Sequence, residues 1–149
     1  MSTVSTTETA DQPKGIGGWL ILPAIGTFIA PLFSLWSAYQ TSLALSGTLQ
    51  PNVRAVIVAE VLVNVVLAAN WIFAIVALLR YRRYYPRLYV ATIVATLVFA
   101  VADITAASVF FNLPFDADDA KTIGRPLVAL LIWGPYMFNS KRVRNTFTT

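Results

Sequence analysis

Arg80-Tyr81-Arg82-Arg83-Tyr84-Tyr85-Pro86-Arg87 decides the fold. The octet holds four of the eleven basic residues and separates two long apolar runs, 53–79 and 88–111. About 20 apolar residues cross a bilayer, and Lys and Arg gather on the cytoplasmic side of the segments that do so. The octet therefore reads as the cytoplasmic turn of a membrane hairpin, and the other segments take their direction from it.

Composition agrees. The 149 residues give room for one domain, 57% hydrophobic and only 12% charged, with a mean hydropathy of +0.67. A soluble domain carries about 25% charged residues. No charge falls in 15–53 or in 61–79, which excludes an ordinary soluble fold. The net charge of +4 does not point to nucleic acid, because the basic residues sit at the ends of apolar runs and not in a patch that could follow a groove. Cys and His are absent, so iron–sulfur clusters, haem and zinc lack their usual ligands. No cofactor and no metal are expected.

Read outward from the octet, the chain is an all-α membrane protein, a four-transmembrane-helix bundle with spans at about 19–39, 53–79, 88–111 and 123–139. Residues 1–14, Ser/Thr-rich with Glu8 and Asp11, lack the basic start of a signal peptide and read as a disordered cytoplasmic tail before a membrane domain at 15–147. Trp19 and, at the other end, Trp36 and Tyr39 fit interfacial anchors of the first span. Pro23 and Pro31 lie within that span and bend it. The uncharged stretch 41–52 reads as a loop, as does the acidic stretch 112–121 with Asp116, Asp118 and Asp119. Pro126 fits the first turn of the fourth span. With four spans, one side collects Lys14, Arg80, Arg82, Arg83, Arg87, Lys141, Arg142 and Arg144, while the other has Arg54, Lys121 and Arg125. Eight against three places both termini in the cytoplasm.

Glu60 and Asp103 are the carboxylates inside spans. At 1.5 Å per residue both lie about 10–12 Å below the outer boundary, on adjacent antiparallel helices. An ionised carboxylate at the centre of a membrane helix costs about 2.5–3.5 kcal/mol. Three roles remain open for Glu60, Asn64, Asp103 and Arg125. They form a structural network (with Arg125 or Arg54 as counter-ion), a proton or cation site in which two carboxylates share a proton, or a site for an ionic group on a partner's helix. Asn64 and Asn70 suit helix–helix hydrogen bonds. Ala68 and Ala69, with Ala100, Ala102, Ala106 and Ala107, suit close helix contact. The arginines of the octet with Lys141, Arg142 and Arg144 read as a cytoplasmic basic anchor. The closing run is also placed to dock against the octet's aromatics or to hold a cytosolic partner. No phosphate-binding glycine loop or nucleophile elbow is present, so an enzyme is not expected.

The opening Gly17-Gly18-Trp19-Leu20-Ile21-Leu22-Pro23 and the closing run from Trp133 through Tyr136, Ser140, Lys141, Arg142, Val143 and Thr146 to Phe147 resemble the two ends of a family of small four-span bacterial inner-membrane proteins of unknown function. The resemblance implies four helices and an inner-membrane location, and no activity. The expectation is thus a non-catalytic accessory or assembly subunit of an inner-membrane complex, in contact with lipid and with another integral membrane protein or itself. A small proton- or cation-coupled transporter or ion-responsive protein using Glu60 and Asp103 is the alternative, and a lipid enzyme ranks third.

Overall fold

The computed structural model describes residues 14–148, which contain helices and no strand. The expected tail falls outside the described residues except for Lys14. A 3-10 turn at Gly18–Leu20 leads into α1 (Ile21–Leu43), and a second at Ala44–Ser46 follows it. Then come α2 (Pro51–Leu79), α3 (Tyr85–Phe111), α4 (Ala117–Asn139) and a short α5 (Lys141–Thr146). The segments Gly18–Ser46, Pro51–Leu79 and Tyr85–Phe110 are long and apolar enough to cross a membrane, which marks a membrane protein. The fourth helix is present but does not meet that standard, because the charges of its first half and Gly124, Pro126, Gly134, Pro135 and Asn139 lower its hydropathy.

Local chemistry sets the helix ends. Pro51 and Pro86 stand in the first turns of α2 and α3, where a missing N–H costs nothing. Residues expected in loops therefore belong to helices. After α2 the Tyr81 N–H bonds the Leu78 carbonyl at 3.1 Å and the Arg82 N–H bonds the Ala77 carbonyl at 3.0 Å. That pair is a Schellman closure, with Tyr81 in the left-handed position (φ 51°) usually taken by glycine. The acidic stretch is the larger correction. Asp116 caps α4 by accepting from the N–H groups of Asp118 and Asp119 at 2.8 and 2.9 Å, and the Asp119 carboxylate accepts the Asp116 N–H at 3.0 Å. Asp118 and Asp119 thus form the first turn of a helix, where negative charge meets the positive end of the helix dipole. Starting the helix at Ala117 puts Pro126 in its interior and not in its first turn.

The helices pack in sequence, α1 against α2, α2 against α3 and α3 against α4, most extensively in the first and last of these pairs. Burial is densest near the α2–α3 turn, where Leu20, Leu78, Tyr85, Met137, Val143 and Phe147 form one cluster. Both described ends of the chain lie there too. The Gly15 N–H donates to Thr146 Oγ1 at 2.9 Å, and Arg83 Nε donates to the Thr148 carbonyl at 2.6 Å. Among the alanines, Ala68 and Ala100 are buried as expected of close contacts, while Ala69 and Ala102 face outward.

Candidate functional site

Two regions hold the residues singled out by sequence. The first is the end of the bundle near the α2–α3 turn. Here the opening and closing runs meet around Tyr85, which is fully buried. Its hydroxyl lies 2.8 Å from Thr27 Oγ1 on α1, and its ring is 4.7 Å from that of Phe147. The Tyr81 ring flanks Phe147 on another side at 6.5 Å. Docking of the closing run on the octet's aromatics is therefore carried by Phe147 more than by the cations. Arg142 contributes differently, since its guanidinium lies over the bare backbone of Gly17 and Gly18. A methyl group on Gly17 would stand 2.6 Å from Arg142 Nη1, and Gly18 has φ +55°, so the glycines permit both the close approach and the turn. Arg80, Arg83, Arg87, Lys141 and Arg144 are exposed and Arg82 and Arg142 half-buried, a basic rim around the cluster.

The second region is the opposite half of the bundle. Thr41, near the end of α1, donates to Glu60 Oε1 at 2.8 Å. Asn64 does not reach the Glu60 carboxylate; its Nδ2 donates to the Glu60 backbone carbonyl one turn earlier, at 3.1 Å. Asp103 is half-buried. Arg125 does not bond either carboxylate. Among the described residues the ion pair formed is Lys121 with Asp118, at 2.7 Å, and neither Arg125 nor Arg54 pairs with Glu60 or Asp103. Arg125 instead borders two apolar grooves along α4, of about 560 and 540 Å3, and neither carboxylate lines them. No group of His, Cys, Asp and Glu among the described residues is arranged to hold a metal ion.

Between these regions α2 and α3 are tied by Asn70, whose Nδ2 donates to Thr92 Oγ1 at 2.5 Å, and Thr92 in turn donates to the Leu88 carbonyl at 2.7 Å. Asn70 is therefore a helix-to-helix bond, whereas Asn64 stays on its own helix. Trp71 and Tyr89 pack edge to face beside it at 5.7 Å.

A protein-family model described as a protein of unknown function, DUF2569, matches residues 13–148. The chain belongs to the DUF2569 family. No curated protein and no solved structure matches it. In this DUF2569 protein the match takes in the opening run, the octet and the closing run, the three stretches that converge on Tyr85. The sequence did not reveal Thr27, Tyr85 and Thr146 as the residues joining those stretches. A threonine one turn below Pro23 and one of three tyrosines in a basic turn look like ordinary span and interface residues until the fold brings them together.

The exposed faces differ between helices. α1 presents Leu32, Phe33 and Trp36, and α4 presents Leu131, Ile132 and Phe138, bulky side chains suited to lipid. Along α3 the exposed positions Val94, Val98, Val101, Ala102, Thr105 and Val109 are small or β-branched, and at 100° per residue they share one stripe. Only 11% of the apolar window of α3 is buried, against 39% for α2. Asp103 lies about 140° around the helix from Val98, so its carboxylate belongs to the inner side of α3 and not to this stripe.

Proposed function

We propose that this protein is a non-catalytic accessory subunit of a larger complex in the bacterial inner membrane, and that the outward face of α3 receives a transmembrane helix of its partner. The smooth Val94–Val98–Val101–Thr105–Val109 face carries the reading. Without a hydrophobic drive between helices in lipid, association depends on van der Waals packing, and a face of stiff β-branched side chains with Ala102 has little side-chain freedom to lose when a neighbouring helix packs on it. A bulky face holds a neighbouring helix away, and α1 and α4 carry such faces.

In this reading α4 crosses the bilayer as a fourth span. It leaves α3 at Asn112, runs back along it, and delivers Phe147 to Tyr85 at the other end of α3. An even number of crossings and the basic rim together favour both termini in the cytoplasm. Mass spectrometry after a gentle-detergent pull-down from native membranes tests the proposal. A near-stoichiometric membrane partner is expected with the natural chain and is lost from Val98→Phe, while Leu32→Phe on α1 keeps it. Recovery of the protein alone, or equal recovery from both variants, would refute docking on α3. Two carboxylates within spans that form no ion pair with Arg54 or Arg125, one of them bonded by Thr41 and the other half-buried, support a proton or cation site as a second reading. A pH response unchanged in Glu60→Gln and in Asp103→Asn would remove it.

A further inference from the structure

We infer that α4 carries a site for an anionic diacyl phospholipid, with the phosphate on Arg125 and the two acyl chains in the grooves on either side of it. The grooves, of about 560 and 540 Å3, fall within the roughly 300–1,000 Å3 range of small-molecule sites. Both have Arg125 and Ala129 as walls. The larger runs between α1 and α4, floored by Trp71, Tyr89 and Ile93 and walled on the α1 side by Gly26 and Phe33. The smaller follows α4 past Gly124, Val128 and Ile132, with Lys121 at its mouth.

Charge complementarity selects the occupant. Arg125 makes no ion pair and no hydrogen bond among the described residues, whereas Lys121, one turn nearer the start of α4, is already held by Asp118. The guanidinium is a planar fork with five N–H donors that matches two phosphate oxygens at once. Its depth also suits a headgroup. Asp118, Asp119 and Lys121 place the start of α4 among the polar headgroups, and one helical turn of about 5.4 Å separates Lys121 from Arg125. A long arginine side chain reaches back over that distance while its stem lines apolar surface. A phosphate seated there would neutralise the arginine, and its chains would descend into grooves that the protein's own side chains do not fill.

Native mass spectrometry of the full-length protein, released from bilayers of equal phosphatidylglycerol and phosphatidylcholine, tests the inference. The natural chain is expected to retain about one phosphatidylglycerol through detergent exchange and to prefer it over phosphatidylcholine. Arg125→Gln is expected to weaken that retention about tenfold, the loss of a charge-assisted hydrogen-bonded pair. Gly26→Leu is the second variant. A Cβ there meets no atom within 4 Å and the position lines the larger groove, so a leucine side chain is directed to occupy the groove, and it too is expected to release the lipid. Lys141→Gln, at the opposite end, is expected to leave retention unchanged. No preference for the anionic lipid in the natural chain, or full retention in Arg125→Gln or in Gly26→Leu, would overturn the assignment.

Discussion

The hydrogen bond between Thr27 and Tyr85 has a direction, and that direction makes two substitutions unequal. Both residues are fully buried. Thr27 has a single hydroxyl proton, and it is given to the Pro23 carbonyl at 2.8 Å. The 2.8 Å contact with Tyr85 must therefore run from the tyrosine hydroxyl to Thr27 Oγ1. Tyr85→Phe removes the donor and leaves Thr27 still bonded to Pro23, so only the net value of one hydrogen bond is lost, about 1 kcal/mol. Thr27→Val keeps the volume but leaves the tyrosine O–H buried without an acceptor, at a cost of roughly 1–3 kcal/mol. The double variant removes both partners and is expected to cost less than the sum of the single ones, by about 0.6–1.7 kcal/mol, the span of such couplings between membrane helices. Equilibrium unfolding in mixed micelles, followed by tryptophan fluorescence, measures all three. Tyr85→Phe proving as costly as Thr27→Val, or strict additivity in the double variant, would refute the donor assignment.

Other substitutions follow from the same local chemistry. Gly18→Ala should destabilise by about 1 kcal/mol in the same unfolding assay because its φ is left-handed. Gly17→Ala should cost less, since the atom it meets is the movable tip of Arg142. Asp116→Ala should cost about 0.5–2 kcal/mol by removing the cap of α4, and hydrogen exchange should show the first turn fraying while α3 is unaffected. Thr92→Val should leave the Asn70 amide without its partner on α3, costing about 1 kcal/mol, with Asn70→Leu expected to offset part of that loss in the double variant.

The first three helices were legible because their signal is one of length and hydropathy, which depends on no neighbour. The basic octet likewise showed where the chain turns. Helix ends were less legible. Pro51 and Pro86 look like loop residues when read singly, yet both are first-turn residues. Asp116 and Asp119 carried a readable signal, a capping residue followed three positions later by a carboxylate, but the density of acids suggested a solvated loop. That Arg125 stays apart from Glu60 and Asp103 was not legible, because it depends on how α4 is rotated about its axis, and the glycines and prolines of α4 obscure its apolar stripe. Docking of the closing run on the octet's aromatics was one reading of the sequence, but that Tyr85 and Phe147 carry it, with the opening run joining them, is a long-range property that no local pattern encodes.

Site-specific photo-crosslinking in native membranes tests docking on α3 most directly, and the absence of cysteine from the chain makes it clean. Val98→Cys and Leu32→Cys are each labelled with a thiol-reactive benzophenone and irradiated. A discrete adduct of one defined mass at Val98, with only lipid-sized additions at Leu32, is the expected result. Lipid-sized additions alone at both positions, or the same protein adduct at both, would contradict a docking face on α3.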